Sequence, residues 1–401
     1  MRKNNLFLVF LYVFIDVLGF SLILPLLPFY AQKFDASETA VGLLLAANAV
    51  TQMVGAPTIG RLSDRYGRKP LLIVSLAGTV VGFLLLGLAG ALWMLFFSRI
   101  VDGLLGGNIS LAQAYITDVT DEKNRAKGLG IIGASFGLGF IFGPALGGTL
   151  SAGGNYALPA FIAAGLSALN LIGVLLWLPE SLPSEKRQAI AASPRSAFSF
   201  RQLWEALRLP CVGPLLNVRL WYGLAFTMFE TIFSLFAAKR LNLDAQATSY
   251  VLTYVGILVV LVQAGGIAQL TKRFSDKQLL FGAGILLAIS LLAWGLTPNL
   301  IILFVILIPL ALSSGVMNVV SNSALTKSVY PEQVGGTLGL SASLGSLTRV
   351  VSPVMAGFLM QNVGAFAPGV LGALIMGGVV WLIWRSILFV PDMSCPAPTY
   401  T

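Results

Sequence analysis

The sequence has no histidine, only two cysteines and few charged residues. The absence of histidine excludes imidazole catalysis, histidine metal ligands and histidine pH switches. The two cysteines, Cys211 and Cys395, imply neither a disulfide framework nor a metal cluster. Charged residues make up 10% of the chain and hydrophobic residues 57%, whereas soluble domains average about 25% charged. A chain of this composition is solvated mainly by lipid.

Motifs of nucleotide-dependent or hydrolytic enzymes are also lacking. No GxxxxGK[ST] loop or HExxH zinc motif occurs in the chain. The segment GLGIIG (128–133) fits GxGxxG, but it opens an apolar run and has no strand before it. We therefore expect no ATP-driven transport, no enzyme activity, no metal and no cofactor.

Long apolar runs dominate what is present. A helix needs about 20 mainly apolar residues to span a bilayer, and twelve such segments occur. They lie at about 6–30, 39–60, 69–89, 92–117, 127–151, 156–178, 212–238, 246–270, 277–297, 299–328, 334–361 and 365–390. The predicted fold is an all-α membrane protein of twelve transmembrane helices, with six-helix bundles at 1–178 and 212–401 and a polar linker at 179–211.

Basic residues are unevenly distributed between the two sides that these spans define. With the N-terminus inside, 19 of the 25 lysines and arginines fall on that side, three fall outside and three lie within spans. The positive-inside rule then places both termini and the linker in the cytoplasm. The net charge of +9 therefore marks topology and not a nucleic-acid partner, because the cations are spread over many short loops. We expect a monomeric, multi-pass protein of the inner membrane, surrounded by the lipid bilayer.

Similar segments recur in the two halves. RLSDRYGRKPLL (61–72) and QLTKRFSDKQLL (269–280) share five of twelve positions at an offset of 208 residues. At an offset of 209 residues, Pro144 aligns with Pro353 and Gly148 with Gly357. Two matches at nearly one offset indicate an internal repeat. Repeated halves with a binding site near the bilayer midplane are typical of transporters.

These segments resemble the major facilitator superfamily, and within it the twelve-helix drug:proton antiporters, especially the tetracycline-efflux-like branch. The resemblance rests on GRLSDRYGRK (60–69), RIVDGLLGG (99–107), GASFGLGFIFGPALGG (133–148) and DVLGFSLILPLLP (16–28). It covers essentially the whole chain and implies two pseudo-symmetric bundles that alternate access to a central cavity. The motifs do not identify the substrate.

Ionisable residues within spans are costly and are functional by default. Asp16 has no basic residue three or four positions away, and a carboxyl buried without a partner favours the protonated form, which suits proton uptake and release. The same reasoning applies to Glu230 in the second half. Arg99 and Asp102 are spaced to pair on one helical face, and the resemblance implies a role for Arg99 in coupling. The alternatives are a neutral hydrogen-bond donor at Asp16 and a static ion pair at Arg99 and Asp102.

A further set of residues is predicted to line the substrate cavity. Four aromatic residues beside Glu230 share one helical face and predict a wall for an apolar or aromatic ligand, or else a packing or lipid-facing stripe: Tyr222, Phe226, Phe229 and Phe233. Arg349 requires a carboxylate partner or an anionic ligand. Amide side chains within spans are expected to face the bundle interior, some of them touching substrate: Asn48, Gln52, Asn108, Gln113, Asn318 and Asn322.

The segment GRLSDRYGRK is predicted to form the cytoplasmic turn between the second and third spans. Its basic residues alone would fix topology, but that role explains neither Asp64 nor the glycines. Asp64 is expected to pair with Arg68 and to favour a helix N-terminus of the other half, and Asp118 is a further partner for the arginines. Gly60 suits close helix approach and Gly67 a tight turn. The resemblance implies a cytoplasmic gate formed by Gly60, Asp64, Arg65, Gly67, Arg68 and Asp118.

Small residues recur every four positions in the fifth span, at Gly139, Gly143 and Gly147, with Pro144 and Gly148 beside them. This spacing lets helices approach closely, and the proline permits a bend. The resemblance adds a sliding surface between the halves.

The expected function is proton-coupled export of amphipathic or aromatic small molecules, of the kind that confers antibiotic resistance. The proton gradient supplies the energy. Three alternatives remain: lipid or lysolipid transport, solute import by proton symport, and a membrane receptor or scaffold.

Overall fold

The computed structural model describes residues 3–183, 187, 204–209, 212–330 and 333–389, and these ranges contain helices and no strand. Most of the predicted linker and both cysteines lie outside the described residues. The first eight helices are α1 (Lys3–Ile23), α2 (Leu27–Gln32), α3 (Glu38–Tyr66), α4 (Arg68–Gly87), α5 (Leu92–Leu105), α6 (Asn108–Val119), α7 (Glu122–Leu150) and α8 (Ala157–Trp177).

Seven further α-helices are described after residue 211. They are α9 (Val212–Leu241), α10 (Ala245–Leu261), α11 (Ile267–Arg273), α12 (Asp276–Gly295), α13 (Leu300–Lys327), α14 (Val334–Asn362) and α15 (Ala367–Ile383). Two π-helical turns lie at Val262–Gly266 and Trp384–Leu388.

The chain forms two compact units. Met1–Arg195 and Asn242–Gly256 make up the first, and Ser196–Leu241 and Ile257–Thr401 make up the second. In the first unit α1 packs against α7 and α8, α4 against α5 and α8, and α3 against α5. In the second unit α12 packs against α13 and α15, and α9 against α14 and α15. The division at 178 and 212 into six and six spans stays a prediction.

Eleven segments in the described ranges are long and apolar enough to cross a membrane. Four of the predicted spans are not continuous α-helices, and one of them, 365–390, runs from α15 into the π turn at Trp384–Leu388. Residues 246–270 run through α10, the π turn and α11, and α10 alone has 17 residues. Residues 6–30 turn at Leu24–Leu26, where Pro25 lacks the N–H that a continuing helix would use. Residues 92–117 break at Gly106 and Gly107.

The glycines of α7 lie against α1. A Cβ at Gly139 would lie 2.6 Å from Val17 Cγ1, and one at Gly143 would collide with Ser21 Oγ. At Gly147 it would collide with the Leu22 carbonyl oxygen. Ser21 Oγ donates a 2.7 Å hydrogen bond to the Gly139 carbonyl across the same contact. The spacing therefore serves close helix approach within one unit, and the sliding role stays a prediction.

Two neighbours of these glycines also lie in α7. Pro144 is inside the helix. Gly148 lies against α10 of the same unit, since a Cβ there would be 2.7 Å from Ser249 Cβ.

Candidate functional site

Asp16 lies in the middle of α1 beside the break between α5 and α6. Asn108 Nδ2 donates to Asp16 Oδ1 at 2.6 Å and lies 3.2 Å from Thr79 Oγ1. Tyr12 OH donates to the Asn108 carbonyl at 3.1 Å. Asn108 is the first residue of α6. The glycine break directly before it therefore determines where its side-chain amide lies along the helix axis. The predicted proton carrier is thus held by a neutral amide and, within the part of the chain that the structure describes, not by a cation.

The glycine break is fixed by a serine of α4. The Gly107 N–H donates to Ser75 Oγ at 3.0 Å, and Ser75 Oγ donates to the Leu105 carbonyl. Buried backbone N–H and C=O groups need hydrogen-bond partners. At this break the Ser75 hydroxyl supplies partners that a continuous helix would have supplied.

Arg99 and Asp102 form the predicted ion pair, with Arg99 Nη1 3.5 Å from Asp102 Oδ2. Both side chains are buried. Asn48 Nδ2 donates to the same Oδ2 at 2.9 Å, and the Thr79 side chain is near Asp102. The Arg99 guanidinium stands over the ring of Phe83, with Cζ 5.4 Å from the ring centroid.

A polar chain therefore connects the two carboxyls of the first unit. It runs from Asp16 through Asn108 and Thr79 to Asp102 and Arg99. Among the described residues, Arg99 Nη2 has no hydrogen-bond partner. This nitrogen can take a new acceptor if the network rearranges.

The segment 60–69 is helix for most of its length and turns only at Gly67. α3 continues to Tyr66, Gly67 adopts φ +107°, and α4 begins at Arg68. Gly67 thus meets the need for a tight turn. Close helix approach does not occur at Gly60, because no heavy atom lies within 4 Å of the position of a Cβ there. That part of the prediction is wrong.

Arg68 is the centre of the predicted gate. It is buried, with Nη1 2.7 Å from Asp64 Oδ1 and Nε 3.0 Å from Asp118 Oδ2. Nη1 also donates to Ser63 Oγ at 2.6 Å. Both predicted pairs are formed, and they tie the end of α3 and the start of α4 to the end of α6. Arg65 is exposed and outside this cluster.

Glu180, which the sequence does not single out, completes the cluster. Its carboxylate accepts from the backbone N–H groups of Arg68 at 2.9 Å and Lys69 at 3.1 Å, so it caps the N-terminus of α4. The capping residue Gly67 has no side chain to do so, and a carboxylate favours a helix N-terminus. Arg187 binds Glu180 at 3.5 Å and donates to the Tyr66 carbonyl at 3.1 Å.

The repeat reproduces this contact in the second unit with the charges reversed. At offsets of 208 and 209 residues, Arg68 corresponds to Asp276 and Asp118 to Lys327. Lys327 Nζ lies 2.6 Å from Asp276 Oδ2. The Lys327 side chain is 67% exposed and that of Arg68 is 9% exposed, so the first pair is the more strongly desolvated.

The aromatic residues of α9 are mostly core residues. Phe229 and Phe233 are buried, and Phe229 packs edge-on against Trp294 with centroids 4.9 Å apart. Tyr222 is buried and its OH donates to the Ser314 carbonyl at 3.0 Å. Phe226 is the one ring of the four that is half-exposed. A ligand-facing role for the set stays a prediction, and its packing favours Phe226 for that role.

The remaining predicted residues vary in exposure. Glu230 and Arg349, both within spans, are exposed, as is Gln113. Arg219, which had no assigned role, donates from Nη1 to Asn318 Oδ1 at 2.7 Å. Gln52 and Asn322 are half-buried.

The fold and these buried polar networks are those of a polytopic membrane protein. Residues 9–269 match the family model described as Major Facilitator Superfamily. The chain is 32% identical over 366 residues to the class C tetracycline resistance protein of Escherichia coli, covering 88% of this chain and 89% of that protein. It is 28% identical to solute carrier family 22 member 18 of Rattus norvegicus, covering 96% and 95%.

A solved structure, that of the human organic anion transporter MFSD10 (TETRAN), has the same fold. Its TM-score is 0.70 at 24% identity, over 95% of this chain and 99% of that chain. The chain belongs to the Major Facilitator Superfamily. It is a multi-pass membrane transporter of small molecules and not an enzyme.

Proposed function

We propose that this transporter is a proton-coupled exporter of amphipathic or aromatic small molecules, working as a monomer in the plasma membrane. The export direction is supported by the similarity to tetracycline resistance proteins, of which the class B protein of Escherichia coli is 31% identical. Both termini are proposed to be cytoplasmic, since that orientation puts most basic residues inside.

The observation that carries the proposal is the setting of Asp16. An acid within a membrane span is expensive, by roughly 2.5–3.5 kcal/mol on insertion scales, and is usually functional. Asn108 donates to it at 2.6 Å, and no ion pair compensates its charge among the described residues. An amide can hydrogen-bond both the ionised and the protonated carboxyl, because it carries a donor and an acceptor. The site therefore tolerates both states that a proton carrier must visit.

Asp16 is the proposed coupling site, and Arg99 with Asp102 modulates it. Protonation of Asp16 changes what Asn108 donates to, and Asn108 contacts Thr79, which lies beside Asp102. Arg99 then redistributes its hydrogen bonds with the aid of its unpaired Nη2. The cluster around Arg68 is proposed to hold the ends of α3, α4 and α6 together in one state of the cycle and to loosen in another.

The energy released when one proton enters the cell is sufficient to drive uphill export of a substrate. One charge that crosses 100 mV is worth about 2.3 kcal/mol. That energy supports a concentration ratio of roughly fifty-fold, since each 1.4 kcal/mol is tenfold. No bound cofactor is needed.

The test is transport by purified protein in liposomes with an imposed pH gradient, for wild type and Asp16→Asn, with tetracycline and ethidium as probes. The asparagine keeps the size and hydrogen bonding of the side chain but cannot titrate. We expect the variant to lose uphill transport and to keep substrate exchange in the absence of a gradient. Asp35→Asn is the control, because Asp35 is exposed in a turn with φ +54°, which asparagine also adopts.

Uphill transport by Asp16→Asn at the wild-type level would remove Asp16 as the coupling site. Proton-driven uptake into the compartment that corresponds to the cytoplasm would show an importer instead. A wild type that binds a probe but never moves it would favour a receptor.

A further inference from the structure

One face of α9 remains accessible although it lies within an apolar span. Arg219, Gly223, Phe226 and Glu230 follow one another at spacings of four, three and four residues, so they form one stripe along the helix. All four are half-exposed or exposed, whereas Tyr222, Ala225, Phe229 and Phe233 are buried. The stripe carries two charges at its ends and an aromatic ring between them.

Arg349 of α14 lies beside the middle of this stripe. A Cβ at Gly223 would lie 3.3 Å from Thr348 Cγ2, and Ser352 Oγ donates to the Leu224 carbonyl at 3.0 Å. These contacts pack α14 against α9 through one residue before Arg349 and one residue after it. Arg349 is exposed and has no ion pair among the described residues.

Positive charge is in excess at this place. Arg349 interacts electrostatically with both Glu230 and Arg219, attracting the first and repelling the second. Arg219 has a neutral hydrogen-bond partner, Asn318. Of the two guanidiniums, only that of Arg349 interacts with the Glu230 carboxylate, and neither forms an ion pair with it among the described residues. Within a membrane span an uncompensated guanidinium is costly unless it meets water or a counter-ion.

We propose that Arg349 and Arg219 form a subsite for an anionic group of the transported compound, and that the Phe226 ring binds the adjoining aromatic or apolar body. A guanidinium binds carboxylate or sulfonate oxygens through parallel N–H donors, and an aromatic face beside it accommodates a flat apolar group. The substrate class is therefore amphipathic organic anions. That the anion is transported rests on the proposed function, whereas its binding to the subsite does not.

The test uses two permanently charged probes with the same aromatic body, 2-naphthalenesulfonate and 2-naphthyltrimethylammonium. Binding to purified protein in detergent is measured by equilibrium dialysis, and transport is measured in proteoliposomes. We expect Arg349→Gln to weaken naphthalenesulfonate binding about ten-fold, as the loss of one charged hydrogen bond predicts. Arg349→Lys should restore part of the affinity, since it restores the charge without the paired donors.

Two controls separate the subsite from general damage. Arg385→Gln removes an exposed cation of the same unit, at the π turn beside Trp381, and should leave both probes unaffected. Binding of the trimethylammonium probe should be unchanged or stronger in Arg349→Gln, which also shows that the variant is folded.

Equal weakening of both probes in Arg349→Gln, or no weakening of either, would overturn the subsite. Wild type that transports only the cationic probe and does not bind the sulfonate would also overturn it, while the proposed export function would stand. Wild type that binds the sulfonate through Arg349 but moves neither probe would support the subsite and count against export.

Discussion

Arg68 and Lys327 are the cations of the two repeated ion pairs, in which the charges are reversed, and they differ in environment. Arg68 is buried between Asp64 and Asp118, whereas the Lys327 side chain is two-thirds exposed. Removing the cation of a buried pair costs about 3–5 kcal/mol, because a desolvated charge loses its partner. Exposed pairs contribute about 0–1 kcal/mol, because water and salt screen them. The two ion pairs therefore contribute differently to stability, although they occur at equivalent positions of the repeat.

Arg68→Gln and Lys327→Gln make a matched pair of variants. We expect Arg68→Gln to destabilise the purified protein by about 3 kcal/mol, at the lower end of the buried range since part of the cluster reaches solvent. We expect Lys327→Gln to have an effect below about 1 kcal/mol. Denaturant unfolding in detergent, followed by tryptophan fluorescence, measures both. Equal losses would show that burial does not distinguish the two pairs.

Residues that act at short sequence separation could be predicted. Arg68 with Asp64 and Arg99 with Asp102 lie one helical turn apart, and both pairs are present. Glu180 could not be predicted, because it reaches the start of α4 across 112 residues of sequence. Its one signal was a carboxylate placed directly after the sixth span. Sequence spacing predicts which residues are neighbours on the same helix. Contacts between different helices depend on how the helices pack, which no local sequence pattern specifies.

At the scale of elements, α7 contains two kinds of glycine. Gly147 is buried where its helix meets the Leu22 backbone of α1, whereas Gly133 is exposed and has open space around its Cα. The sequence shows the same residue at both places. Only the neighbouring helix decides whether a methyl group collides with backbone or meets nothing.

Gly147→Ala and Gly133→Ala should change stability in opposite directions. A Cβ at Gly147 would collide with the carbonyl of Leu22, which is backbone and cannot rotate away, so we expect a loss of about 1–3 kcal/mol. Gly133→Ala should stabilise by up to about 1 kcal/mol, because alanine loses less backbone entropy in a helix. Thermal unfolding of the two variants beside wild type measures the signs. Stabilisation by Gly147→Ala would contradict the close contact of α1 and α7.

The positions of the spans could be read from hydropathy, but their interruptions could not. Hydropathy averages over a window, and 92–117 is mainly apolar on both sides of the break at Gly106 and Gly107, so the average does not reveal the break. Many other glycines in this chain lie inside unbroken helices, such as Gly130 and Gly133 in α7. What distinguishes Gly107 is Ser75 of α4, which accepts its N–H. A break in lipid is tolerated where another helix satisfies the freed backbone groups.

At the scale of the whole molecule, the distribution of basic residues predicts the orientation in the membrane. In the predicted topology, 19 of the 25 basic residues lie on the side of the N-terminus and three on the other. The insertion machinery retains Lys and Arg loops in the cytoplasm. The same bias holds in both repeated halves, although Asp64 and Arg68 of the first correspond to Lys272 and Asp276 of the second. In the predicted topology, the two halves therefore share the side on which basic residues are concentrated, but not the individual charges.

The orientation can be tested by labelling single cysteines in a background with Cys211→Ser and Cys395→Ser. Gly90→Cys lies in the exposed connection between α4 and α5, and Tyr66→Cys lies at the exposed end of α3, so both thiols are accessible without loss of a basic residue. In intact cells a membrane-impermeant maleimide should label Gly90→Cys and leave Tyr66→Cys unmodified until the membrane is permeabilised. The reverse pattern would place the gate around Arg68 outside. It would also mean that the proton gradient acts on Asp16 from the opposite side, which would turn the proposed exporter into an importer with the same residues.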